Sequence, residues 1–287
     1  MKSYIIAGQG ISLTDQFPKL ERFQYTGVEL NSTPVTPSLP EKIISRSSGY
    51  VARAERIVEI WSARDGVVLR VSGFRDFYIS SCGKAILPVV GDTDLTELEQ
   101  EVVLGPALAL ALALGGKWCL HAIAASFQNK GMVFLGESGY GKSTLAAYLD
   151  EAVKPGWQRI ADDILPVSLG EGELTGWTHF PQLKLPELMQ PSLQLPETLL
   201  INHVYLLDPD NSATTPKLKA LSSDETVRIL LGNAAGSRLF TPELLAAHLA
   251  FCAQAARHVT GYRLSYAHQR DILPVVKDLL EQSLFPK

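Results

Sequence analysis

The run Gly136-Glu137-Ser138-Gly139-Tyr140-Gly141-Lys142-Ser143 has the residue types and spacing to hold a nucleoside triphosphate. It fills every fixed position of the pattern G-x-x-x-x-G-K-[ST]. Glycines at such positions let the backbone curl, so that successive N–H groups converge on phosphate oxygens. Lys142 can reach the β and γ phosphates, and the Ser143 hydroxyl can ligate Mg²⁺. The pattern also arises by chance, so its flanks decide. An apolar run, Met132 to Leu135, leads in, and a helix-forming run, Thr144-Leu145-Ala146-Ala147-Tyr148-Leu149, leads out. Strand, loop and helix in that order set the positive end of a helix dipole at the phosphates. Gly136 through Thr144, with Glu137, Ser138, Gly139 and Tyr140 as the turn of the loop, are the expected ATP-binding residues.

Downstream lies Ile160-Ala161-Asp162-Asp163-Ile164-Leu165-Pro166. Two adjacent aspartates on a strand point to opposite faces, so one could face the phosphates and the other a metal or the fold. Phosphoryl transfer requires a carboxylate near Mg²⁺, and one near the acceptor hydroxyl can orient or deprotonate it. Alone, the pair would read as a solvated turn; after a phosphate loop it reads as functional. His121, in Cys119-Leu120-His121-Ala122-Ile123, precedes the loop strand. A lone histidine in an apolar strand is usually a satisfied core residue. Arg228, Arg238 and Lys184 could offset phosphate charge, and Trp177, His179 and Phe180 could line a base or acceptor pocket. Isolated basic side chains are usually solvated, and such aromatics are usually core.

These residues need a scaffold, and the chain reads as mixed α/β. Short β-branched and aromatic runs punctuated by glycine lie at Ile57–Trp61, Val67–Val71, Phe77–Ile79 and Ala85–Val90. They predict a small β-rich N-terminal domain over 1–95. Asn31 to Pro40 reads as a loop. Thr93-Asp94-Leu95-Thr96-Glu97-Leu98 predicts a capped helix start, with the helix running to Leu114. The phosphate-binding domain is expected over 96–287, with strands at Trp118–Phe127, Gly131–Leu135, Trp157–Pro166 and Val204–Leu207. Helices are expected at Asp224–Leu231, Pro242–His258 and Asp271–Leu284.

Composition narrows the function classes. The formal net charge is -4 and no basic field stands out, so nucleic acid is a poor partner. The most apolar stretch, Val102 to Leu114, falls short of the roughly 20 residues that span a bilayer, and the N-terminus does not read as a signal peptide. Cys82, Cys119 and Cys252 are odd in number and not in metal-ligand spacing, which suits a reduced, cytoplasmic protein. A transporter-type signature is missing, as are a guanine-specific loop in the right order, a dinucleotide fingerprint and the eukaryotic kinase loops.

Leu120-His121-Ala122, the loop Gly136 to Ser143, and Ala161-Asp162-Asp163 together resemble the catalytic domain of the HPr serine kinase/phosphorylase family. Phe180-Pro181-Gln182-Leu183-Lys184-Leu185 is similar to a segment of the kinases associated with lasso-peptide biosynthesis, whose small β domain the N-terminal region also resembles. The resemblance covers residues 100 to 285 and is most specific through 165. It implies a P-loop kinase domain of the type shared with phosphoenolpyruvate carboxykinases. It implies ATP and Mg²⁺ as cofactors, a serine hydroxyl of a protein or peptide as acceptor, and an oligomer. Asp162 would be the catalytic carboxylate that takes the serine proton, with His121 beside it and Lys142 on the phosphates. Asp163 and Ser143 would stand on the metal side. Thr144 replaces the family's usual glutamate, and its C-terminal arginine- and glycine-containing signature has no counterpart, so neither phosphorolysis nor HPr as substrate carries over. The rival readings are a small-metabolite kinase and a non-catalytic nucleotide-binding regulatory protein.

Overall fold

The computed structural model describes residues 2–25, 36–91, 94–151, 156–182, 195–210, 212 and 215–285. The chain forms two compact units: Met1–Cys119 with Ala235–Ala247, and Leu120–Ala234 with His248–Lys287.

The first unit holds β1 (Lys2–Ile6), β2 (Gln9–Leu13), β3 (Lys42–Val51), β4 (Ala54–Ala63), β5 (Gly66–Val71), β6 (Phe77–Ser80) and β7 (Ala85–Pro88). They form one sheet in the order β1-β2-β7-β6-β5-β4-β3. The runs expected to be strands become β4 to β7. β1, β2 and β3 are additional. Two of the hairpins turn through a pair of residues with positive φ, Ala7–Gly8 and Ala52–Arg53, the geometry that matches strand twist.

Helix α1 (Glu97–Val102) is capped by Thr96, whose hydroxyl accepts the Glu99 N–H while the Glu99 carboxylate accepts the Thr96 N–H. It continues through a wide turn, Val103–Ala107, into α2 (Leu108–Leu114). Pro106 lies within that turn, where its missing N–H and its ring are incompatible with a regular α-helical bond. α2 packs closely on the sheet: a Cβ on Gly83 would meet the Ala111 carbonyl oxygen at 1.9 Å. Gln9 stitches the two together, its Nε2 donating to the carbonyls of Gly83 (2.9 Å) and Ala111 (3.3 Å). The helix therefore belongs to the β-rich unit, and the compact units do not divide at residue 95. Composition changes there because a helix begins, not because the first core is complete.

Labels for the rest of the chain are β8 (Trp118–His121), β9 (Ile123–Phe127), β10 (Lys130–Leu135), α3 (Lys142–Glu151), β11 (Trp157–Ala161), β12 (Ile164–Gly170), β13 (Glu173–Trp177), β14 (Thr198–Pro209), β15 (Lys217–Ala220), α4 (Ser223–Gly232), α5 (Pro242–Ala255), β16 (Thr260–Tyr266) and α6 (Leu273–Leu284). The central sheet of the second unit runs β11-β9-β10-β14, with β16 also paired to β14 and β15 to β16. β10, β14 and β16 are mutually parallel; β9 runs antiparallel to β10 and to β11, so β11 points the same way as β10. One face is covered by α3 and α6, whose Leu145, Leu149, Val276 and Leu280 pack with Phe134, Tyr205 and Leu264 in a continuous core. On the other face α4 approaches so closely that a Cβ on Gly261 would lie 2.3 Å from the Thr226 hydroxyl. α4 is fixed at its start by a reciprocal Ser222–Glu225 cap.

Two expected strands are broken where chemistry was expected. Trp118–Phe127 splits at Ala122, and Trp157–Pro166 splits at Asp162–Asp163. Part of the Asn31–Pro40 loop, and Lys184, lie outside the described residues. Among the described residues no helix is long and apolar enough to cross a membrane.

Candidate functional site

The topology of the second unit sets one rim of the sheet. β9 opposes β10 with Ile123 across from Phe134, and β11 opposes β9 with Ala161 across from Ala124. The end of β10, the beginning of β9 and the end of β11 therefore lie side by side. From these points emerge Gly136, His121–Ala122 and Asp162–Asp163. β11 stands two strands from β10, about 10 Å at ordinary strand spacing.

The loop itself is an open nest. Gly136, Gly139 and Gly141 have φ of 148°, 87° and 84°. At Gly141 that conformation disfavours any side chain, and a Cβ would also lie 2.9 Å from Nε2 of the exposed His268 ring, which would have to shift. Glu137, Ser138, Gly139, Ser143 and Thr144 are exposed. Lys142 is 8% exposed, and its Nζ donates to the carbonyls of Gly136 (2.6 Å) and Glu137 (3.0 Å), so its charge spans the mouth of the nest. The Leu145 N–H donates to the Gly141 carbonyl at 2.9 Å, so α3 begins directly under the loop. Exposed loop residues, positive-φ glycines, a lysine turned onto the loop and an exposed Ser143 at a helix N-terminus fit a triphosphate with its Mg²⁺. Among the described residues no group of three or more His, Cys, Asp or Glu is arranged to hold a metal ion by itself. A phosphate-borne Mg²⁺ needs only one or two protein ligands, and Ser143 with one carboxylate of the bend would supply them.

The two aspartates sit in a bend between β11 and β12, not on a strand as expected. Their directions differ nonetheless. Asp162, its side chain 10% exposed, lies 3.8 Å from Arg159, whose other nitrogen is 3.5 Å from Asp150 on α3. Asp163, 17% exposed, lies 3.3 Å from Nδ1 of His121. The resemblance set His121 beside Asp162; the pairing forms with Asp163, because the bend turns the second carboxylate toward the gap between β8 and β9. The Ala122 N–H donates to the Asp163 carbonyl at 3.0 Å, locking that gap to the bend. Carboxylates this buried are not the solvated turn that the dipeptide alone suggests.

Gln182 holds the bend. Its Oε1 accepts the N–H groups of both Asp162 (3.0 Å) and Asp163 (3.2 Å), and its Nε2 donates to the Ile164 carbonyl (2.8 Å). At 2% exposure it is among the most buried polar side chains described. Arg159, Gln182, Asn233 and His268 are site residues that sequence reasoning did not single out. Gln182 alone left a trace, as part of the Phe180–Leu185 segment.

The weaker candidates stand elsewhere. Arg238 belongs to the first unit and donates to the Ser48 carbonyl at 3.1 Å, covering an edge of β3. Arg228 is exposed on α4. Trp177 donates to the Ser168 hydroxyl at 2.9 Å, His179 Nε2 lies 3.0 Å from the Leu195 carbonyl, and Phe180 is buried.

No family model matches the chain, and no curated protein does. Among solved structures it is similar to the HPr(Ser) kinase/phosphatase from Coxiella burnetii, at 14% identity and a TM-score of 0.36, over 58% of this chain and 90% of that one.

Proposed function

We propose that the second unit is an ATP- and Mg²⁺-dependent kinase that transfers the γ-phosphoryl group to a hydroxyl, with a serine of a protein or peptide as the acceptor. The observation that carries this reading is the shared rim: a phosphate nest and a buried carboxylate pair emerge from one end of one sheet, about two strand spacings apart. That gap suits a phosphoryl group on one side and an incoming hydroxyl on the other.

Phosphoryl transfer asks for positioning and charge stabilisation more than for covalent chemistry. The loop amides and Lys142 hold the phosphates and offset charge that develops on the transferring oxygens. A bound Mg²⁺ would supply charge screening of the phosphates. Ser143 and Asp162 would hold the metal side, with the Arg159 guanidinium 3.8 Å from the Asp162 carboxylate. Asp163 orients the acceptor hydroxyl and accepts its proton, and His121 steers that carboxylate. This exchanges the roles that the resemblance assigned to the two aspartates. The serine acceptor and the likeness to peptide-tailoring kinases rest on the resemblance in the motifs.

The test is incubation of the full chain with Mg²⁺ and γ-labelled ATP, against serine-containing peptides, HPr and small hydroxyl metabolites. Label on a peptide serine supports the reading. Label on a metabolite alone moves the acceptor class. Tight ATP binding with no transfer to any acceptor would favour a regulatory nucleotide-binding protein.

A further inference from the structure

We infer that Asn233 is a positioning residue that fixes Gly136, the first residue of the phosphate loop; the inference rests on the reading of Gly136–Ser143 as a nucleotide site. Asn233 follows α4 as its C-cap, and its Nδ2 donates to the Ile229 carbonyl at 2.8 Å. With the amino group so engaged, Oδ1 faces the Gly136 N–H and accepts it at 3.2 Å. The reverse orientation of the amide would set a donor against that N–H, so the two partners together fix which end is which. Gly136 is buried, and its carbonyl already takes the Lys142 ammonium. Both main-chain groups of the residue that opens the nest are thereby held, its carbonyl by Lys142 and its N–H by Asn233.

The backbone of the same residue serves the opposite side of the site. The Asn233 carbonyl accepts the His121 N–H at 2.8 Å, and Ala234 forms a bridge with Leu120. Side chain and main chain thus seat two different strand ends. Removing the side chain deletes the bond to the phosphate loop and leaves the bond to His121 in place. The Gly136 N–H would then be buried without its acceptor, and the loop would relax from the phosphate-ready shape. Asn233 acts on nucleotide affinity through Gly136, and not on the His121–Asp163 pair.

The experiment compares the full wild-type chain with Asn233→Ala and Asn233→Asp. For Asn233→Ala the expected results are MgATP affinity lower by about tenfold, on the scale of one lost hydrogen bond, and faster hydrogen exchange at the Gly136 amide. The His121 imidazole titration followed by NMR should not move. Asn233→Asp keeps an oxygen acceptor and should restore the protection of Gly136. Unchanged affinity and exchange in Asn233→Ala would overturn the inference. So would a joint shift of Gly136 exchange, His121 titration and melting temperature, which would mark a general structural role. A wild type that binds no MgATP would instead overturn the nucleotide reading, while Gly136 exchange would still decide whether Asn233 fixes the loop.

Discussion

Between Gly136 and Ser143 the chain makes most of its own support: Lys142 bonds back to Gly136 and Glu137, and α3 takes its first turn from Gly141. The bend at Asp162–Asp163 is held by Gln182 on its amides, by Arg159, itself paired with Asp150, on one carboxylate, and by His121 on the other. The two regions share a rim, yet one is a local backbone shape and the other a meeting of distant side chains. Damage to them should therefore separate. Changes in the loop should act first on nucleotide binding, and changes around the bend on the transfer step and on stability.

The largest effect is expected at Lys142. Lys142→Ala should lower transfer on the order of a thousandfold, as expected when a preorganised charge partner of the transition state is removed, and weaken MgATP binding as well. Equilibrium titration and label transfer measure the two losses. Asp163→Asn comes next. Transfer should fall on the order of a hundredfold or more, the usual scale for a lost acid–base group, with MgATP affinity within about twofold of wild type because the loop amides are untouched. Retained transfer in Asp163→Asn with loss in Asp162→Asn would return the acceptor-side role to Asp162.

Gln182→Ala leaves two amide N–H groups and one carbonyl of the bend without their partner. The cost should be about 2–3 kcal/mol in denaturant unfolding, given the penalty of buried unsatisfied groups, with slower transfer and unaltered nucleotide binding. A loss of MgATP affinity equal to the loss of transfer would dissolve the contrast between the regions. Gly141→Ala tests the loop from the inside. With φ at 84° and His268 at 2.9 Å from the new Cβ, it should destabilise by about 1–3 kcal/mol and weaken MgATP binding.

The smallest effect is the pH dependence of stability. Burial depresses the basicity of His203, with help from Lys130, and burial also depresses that of His248. Each binds its proton more weakly folded than unfolded. Stability should therefore be complete above the unfolded value near 6.5, decline as pH falls below it, and level off beneath the folded values. Unfolding free energies at pH 7.5 and 5.5 check the sign, and His248→Gln should flatten the decline.

What the sequence discloses follows the same division. The loop is legible because its function is written in contiguous glycines and one lysine, and the flanking strand and helix follow from their residue types. The aspartates are legible as chemistry but not as geometry: a strand would have sent them to opposite faces, whereas a bend clamped by Gln182 turns them toward different partners. Asn233 and His268 are silent, and Gln182 shows only as part of the Phe180–Leu185 segment, because each acts across the fold, where neither period nor spacing reports. The same holds in the β-rich unit. The β3–β4 hairpin turns on Ala52 and Arg53, with φ of 47° and 65°, where a turn signal would show glycine or asparagine. α2 is legible as a helix, but its membership in that unit is set by Gly83 against Ala111 and by the reach of Gln9.

The measurement that tests the central claim most directly is MgATP binding and label transfer, taken together on wild type, Lys142→Ala and Asp163→Ala. The account predicts that Lys142→Ala loses both, whereas Asp163→Ala loses transfer and keeps binding. Binding lost in both variants, or transfer retained in either, would contradict it.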